Sequence, residues 1–173
     1  LQIQRFTYTS PRLPGGFDGC VIVQLTDLHG AVFREDNQEL IDAVRKESPD
    51  YIVLTGDLLD RFRETPHSYA ADLCGALAAI APTYFVTGNH EWALPDVRGL
   101  KDRLTQAGAV VLTNQFVTLE RGGDQILLAG IDDPNGFADQ KTPEELAGEV
   151  REAWGDGFWL LLAHRNNLFA EQY

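Results

Sequence analysis

At 173 residues, with 44% hydrophobic and 23% charged residues, the chain has the size and balance of one ordinary globular domain with a single sizeable core. Its net charge of -12 argues against sequence-independent grip on DNA or RNA, which depends on Lys and Arg neutralising phosphates. No apolar run approaches the roughly 18 residues needed to cross a bilayer, which excludes a membrane-embedded domain and leaves a cytoplasmic or membrane-peripheral one as the expectation.

The chain opens at Leu1 and contains no methionine, so an upstream segment is expected, one in which a signal or membrane anchor could lie. An opening strand is expected near residues 3–9. The run 20–26 is short, apolar and β-branched, and reads as the first buried strand. Asp36 followed by Glu39 has the spacing of a capping box, and Leu40, Ile41 and Val44 then line one helix face until Ser48-Pro49 ends it. A buried strand comes next at 51–55, then a helix with Leu73, Leu77 and Ile80 as its apolar stripe, then a strand at 83–87. Asp96 is placed to cap a helix that turns Val97, Leu100 and Leu104 inward and ends at Gly108. Strands are expected at 110–113, 116–120 and 126–131. Thr142-Pro143-Glu144-Glu145 is a strong helix start, with Leu146 and Val150 facing the core, and 158–163 reads as the last strand. Short buried strands alternating with amphipathic helices mark a layered α/β domain spanning residues 1–173. Cys20 and Cys74 fit no metal or redox spacing and read as buried free thiols.

The residues just past each strand are more informative than the strands themselves. The run 20–26 leads into Asp27-Leu28-His29, 51–55 into Gly56-Asp57-Leu58-Leu59-Asp60, 83–87 into Gly88-Asn89-His90-Glu91, and 158–163 into His164. In an open α/β sheet the carboxyl ends of neighbouring strands converge on one crevice, and sites are built there. Three of the four histidines sit at these positions; His67, near a helix start, reads as a surface residue. Gly56 and Gly88 allow the sharp backbone turns that bring Asp57 and Asn89 toward a common point. Each piece alone has a plain structural explanation, a capping Asp or a turn. The ordered set of carboxylates, amide and imidazoles suits divalent cations with nitrogen and oxygen preferences.

Together, Asp27-x-His29, Gly56-Asp57-x-x-Asp60, Gly88-Asn89-His90-Glu91 and a strand-final His164 resemble the successive signatures of the calcineurin-like metallophosphoesterase superfamily, in its order and spacing across nearly the whole chain. The resemblance implies a four-layer α/β/β/α sandwich with the site at the sheet edge, and two divalent metal ions, Mn, Fe or Zn. It implies that Asp27 and His29 hold one ion, Asn89 and His164 the other, and that Asp57 bridges both. His90 would then be the acid beside the leaving group, oriented by Asp60. The family closes its site with a Gly-His-x-His motif. No such motif occurs between His164 and Tyr173, so the closing strands and one histidine per metal are expected to be missing here.

The segment Gly130-Ile131-Asp132-Asp133-Pro134 resembles a bacterial branch of small phosphodiesterases. Several of these are membrane-anchored, and some act on the UDP-diacylglucosamine intermediate of lipid A synthesis. Asp132 and Asp133 are substrate-binding candidates on that resemblance; a turn with an Asx bond before Pro134 is the other reading. Trp92 either walls the pocket or packs in the core. The implied activity is hydrolysis of phosphodiester or pyrophosphate bonds in small phosphorylated or lipid-linked substrates. The rivals are a nuclease of the same superfamily, which the acidic charge disfavours, and a non-catalytic module of the same fold, which would not need these residues together.

Overall fold

The computed structural model describes residues 1–62 and 66–165, without the side chain of His67. Four strands, β1 (Ile22–Leu25), β2 (Tyr51–Thr55), β3 (Thr83–Val86) and β4 (Val110–Val111), form a parallel sheet in the order β1-β2-β3-β4. A second sheet holds β5 (Gln115–Arg121), β6 (Asp124–Gly130) and β7 (Trp159–Leu162), with β5 antiparallel and β7 parallel to β6.

Strand alternation builds the layers. In β2, Ile52 and Leu54 point one way, into a core shared with Phe85 and with α1 (Gln38–Lys46), α2 (His67–Ala78) and α4 (Val97–Gln106). Tyr51 and Val53 point the other way, packing with Tyr84 and Val86 against Leu119, Ile126, Leu128 and Leu162 of the second sheet. The far side of that sheet offers Leu127 and Ala129 to Leu146 and Val150 of α5 (Pro143–Trp154). Three apolar cores therefore separate four layers, α/β/β/α, as the resemblance implies. Cys74 is buried in the first core, which pushes its thiol up to about 12, and Cys20 is half-buried; neither forms a disulfide.

The register fixes where the site lies. Leu25 pairs with Leu54 and Thr55 with Val86, so β1, β2 and β3 end side by side; Gly130 pairs with Leu162, so β6 and β7 do the same.

Two helix starts use the expected caps: the Asp96 side chain accepts from the Gly99 amide, and Thr142 and Glu145 form a reciprocal capping box. Three expectations are corrected. Residues 3–9 form no strand; Ile3, Phe6 and Tyr8 are exposed, and the segment finds no ladder partner among the described residues. Asp36 does not cap α1, because Asp36 (φ 51°) and Asn37 (φ 62°) are both left-handed and make a separate turn before the helix begins at Gln38. Glu39 instead faces Arg34, and the Asn37 side chain accepts from the Phe33 amide. Ile80 lies beyond the end of α2, although it still packs on the first core. His67 opens α2, but its side chain lies outside the described residues, as do Asn166 and Asn167 after Arg165.

Candidate metal centre

The first two loops are stitched together by backbone bonds that prolong the β1–β2 pairing: the Asp27 amide donates to the Gly56 carbonyl, His29 to Asp57, and Gly30 to Leu58. Asp27 (φ 55°), His29 (φ 48°) and Asp57 (φ 53°) all adopt left-handed backbone, which costs about 1–3 kcal/mol each and turns their side chains toward one point. The third loop comes close because Gly88 lacks a side chain. A Cβ there would collide with the Asp57 carboxylate and amide, and one on Gly56 (φ 89°) would strike the Gly88 backbone and the His164 ring.

Asp57 is the centre of the cluster. Its side chain is 5% exposed, and its Oδ2 lies 3.7 Å from His29 Nε2 and 3.5 Å from His164 Nε2. Its Oδ1 accepts the His90 amide at 2.9 Å. Asp27 is the most open member, with its side chain 52% exposed, Oδ1 3.7 Å from His29 Nε2, and Oδ2 held by the Thr26 hydroxyl at 2.7 Å. The His29 and His90 rings meet edge to face at 4.6 Å. His90 Nδ1 lies 3.3 Å from Asp60 Oδ1 and 3.2 Å from the Arg61 amide. All seven residues expected at the core of the site thus gather at one edge of the sandwich.

The donor chemistry fits a cation. His164 Nδ1 faces the Thr55 carbonyl at 2.8 Å, so that nitrogen donates and Nε2 is the one turned to the cluster. Nε2 looks toward Asn89 Oδ1 at 3.3 Å and the Asp57 carboxylate, oxygen acceptors that a positive ion satisfies. Two groups of potential ligand atoms lie within 4.8 Å of one another: His29, Asp57 and His90, and Asp27, Asp57 and His164. They share Asp57, but they cut across the expected partition, grouping Asp27 with His164 and bringing His90 beside His29.

Sequence reasoning left Glu91 without a role. Its carboxylate is fully buried and accepts the amides of Gly88 (2.7 Å), Asp57 (2.8 Å) and Leu59 (3.3 Å), tying the second and third loops together from beneath. Burial pushes its pKa up, against the pull of those amides. The signal was present in the sequence: an acid two positions after Asn89, at the start of the short helix α3 (Asn89–Trp92), is placed to reach back to the amides that precede it. Trp92 is buried, donating to Thr87 Oγ1 at 2.7 Å and packing edge-on against the exposed Phe137. Asp132 and Asp133 follow shortly after the end of β6 with side chains 0% exposed, paired with Lys101 at 2.8 Å and Arg165 at 2.6 Å.

Fold and site together define a layered α/β sandwich with a carboxylate–imidazole cluster at its strand ends. A family model described as calcineurin-like phosphoesterase matches residues 20–172, and the chain belongs to that family. It is 35% identical over 127 residues to a transmembrane protein with metallophosphoesterase domain from Danio rerio, covering 70% of this chain and 29% of that protein. It is 31% identical over 155 residues to the uncharacterized metallophosphoesterase YkoQ of Bacillus subtilis, covering 87% of this chain and 54% of that one. An uncharacterized metallophosphoesterase of Aquifex aeolicus is 32% identical over 138 residues, with 79% and 51% covered. The chain thus spans 29%, 54% and 51% of the lengths of these relatives. No helix among the described residues is long and apolar enough to cross a membrane.

Proposed function

We propose that the chain carries the centre of a metal-dependent phosphoesterase, acting on phosphodiester or pyrophosphate bonds of small phosphorylated or lipid-linked substrates. The observation that carries this reading is the sharing of buried Asp57 by two clusters of potential ligands. One carboxylate within reach of both is what a pair of cations about 3.5–4 Å apart requires. Asp27, His29, Asp57, Asn89 and His164 would hold the ions. Divalent Mn, Fe or Zn suits this nitrogen and oxygen set, and supplies water activation and charge neutralisation at the phosphoryl group.

The remaining work falls to the protein's own groups. Asp57 is held from both sides, its amide by Glu91 and its Oδ1 by the His90 amide, so the shared carboxylate is oriented before any substrate arrives. His90 stands at the mouth with Nδ1 toward Asp60, leaving Nε2 to give a proton to the departing oxygen. Asp60 in turn is anchored by accepting the Phe62 amide at 2.9 Å.

The test is Asp57→Asn, read by elemental analysis and by hydrolysis of a bis-nitrophenyl phosphate. The expected result, in the complete protein, is two ions per wild-type molecule, with loss of both ions and nearly all activity in the variant. A variant that keeps two ions and a normal rate refutes the shared-carboxylate reading.

A further inference from the structure

Asp132 and Asp133 are adjacent on the chain, yet their side chains leave the end of β6 toward different partners. Asp132 Oδ1 accepts the Thr87 hydroxyl at 2.6 Å, and Oδ2 accepts Lys101 Nζ at 2.8 Å. Lys101 also donates to Thr113 Oγ1 at 3.1 Å and sits over the Trp92 ring at 4.9 Å. Thr87 is the residue immediately before Gly88-Asn89-His90, and its Oγ1 further accepts the Trp92 indole at 2.7 Å and the Asp133 amide at 3.3 Å. Asp133 takes Arg165 in a two-point contact, Nε to Oδ2 at 2.6 Å and Nη2 to Oδ1 at 3.4 Å. Its Oδ1 also accepts the Asn135 amide at 2.9 Å. Arg165 is the residue directly after His164.

Neither carboxylate is open to a ligand: both side chains are 0% exposed and every described oxygen contact is to the protein. A buried carboxylate is costly unless paired, so these two pairs hold their geometry tightly. One strand end thereby grips the base of the turn that carries Asn89 and the residue next to His164. Asn89 and His164 are the two side chains whose polar atoms meet at 3.3 Å.

We propose that Asp132 and Asp133 are paired positioning residues that set the spacing of Asn89 against His164, one bracing each ligand-bearing segment. The proposal rests on the reading of those two side chains as metal ligands. It replaces a substrate-binding role for the dyad with an indirect one: the dyad tunes affinity for the cation rather than for the phosphate ester.

The experiment is a cycle of Asp133→Asn, Arg165→Gln and the double variant in the full chain, with Arg165→Lys as the conservative exchange. Arg165 is 35% exposed at its side chain, and the double variant removes the buried charge together with its partner, so the test stays readable even where a single variant folds poorly. Two quantities are measured: the Mn dissociation constant by equilibrium dialysis, and the nitrogen NMR signature of the His164 ring in metal-free protein. Each single variant is expected to weaken Mn binding roughly 10–100-fold, the usual scale for an outer partner of a ligand. The double variant should be no worse than either single, because the pair acts as one unit. Arg165→Lys should recover part of the loss, and the Nδ1-protonated signature of His164 should blur in both single variants. Unchanged Mn affinity with a raised KM overturns the proposal in favour of substrate contact. Unchanged affinity, KM and ring signature overturns it in favour of packing alone. If the wild-type chain binds no Mn, the metal reading fails by itself; the ring signature in the metal-free variants then decides the bracing, which stands if the signature blurs and falls if it persists.

Discussion

Asp57 receives more of the site's geometry than any other residue: two imidazoles face its Oδ2, the His90 amide its Oδ1, and Glu91 its backbone. His90 is placed ambiguously by distance alone, since it falls in a ligand-like group with His29 and Asp57 and also faces Asp60. The two roles separate on substitution. His90→Ala is expected to keep the metal content of the wild type and to slow turnover of alkyl phosphodiesters by roughly 10²–10⁴-fold, the scale of a lost general acid. Nitrophenyl esters, whose leaving groups need no proton, should lose much less. Steady-state kinetics on both ester types with elemental analysis checks this; loss of an ion would place His90 among the ligands, and equal loss on both esters would sink the leaving-group role.

At the scale of elements, the two sheets are joined away from the site by Asp50, just before β2. It accepts the Val21 amide at 2.8 Å and Arg121 Nε of β5 at 3.0 Å, and Arg121 donates onward to the Asp18 carbonyl. Burial works to raise the Asp50 pKa, but the Val21 amide and the Arg121 guanidinium outweigh it and hold it below the ordinary aspartate range. Because the folded value lies below the unfolded one, the stabilisation is present above the ordinary aspartate pKa and fades as pH falls through the lowered value. Asp50→Asn should cost about 1 kcal/mol at neutral pH, with the gap from wild type closing under acid conditions. Urea unfolding of both proteins across the acid range measures it. The central strands β2 and β3 were legible because burial on both faces makes them apolar throughout, and the candidate ligands were legible because they come just after strand runs. The ties between elements were not: nothing local distinguishes Asp133, which meets Arg165 from beyond the end of β7, from a turn aspartate before Pro134. Asp36 misled for a related reason. Its spacing to Glu39 matches a cap, while the left-handed backbone of Asp36-Asn37 makes a separate turn before the helix. Residues 3–9 have strand-like composition, and composition does not supply an edge to pair with.

Taken whole, the molecule is acidic, at -12, and five of its described arginines are paired with acids: Arg5 with Glu47, Arg34 with Glu39, Arg45 with Asp42, Arg121 with Asp50 and Arg165 with Asp133. A nuclease needs free positive charge along the backbone it grips. Fluorescence anisotropy with labelled single- and double-stranded DNA at physiological salt should therefore show no binding in the range of about 10⁻⁶–10⁻⁴ M where basic proteins bind non-specifically. Salt-dependent binding in that range would reopen the nuclease reading.

The loops of the centre are joined across long stretches of chain. His164 reaches Thr55 over 109 positions, Thr87 reaches Asp132 over 45, and Asp57 reaches Glu91 over 34. Closures of this kind come late in folding, after helices and the β5–β6 hairpin have formed from near neighbours. Cation-gripping ability is then among the last properties a newly made chain acquires. A half-folded chain emerging from the ribosome can already hide much of its apolar surface before these loops meet, and on the proposed function it would gain its metals and its chemistry only once they do.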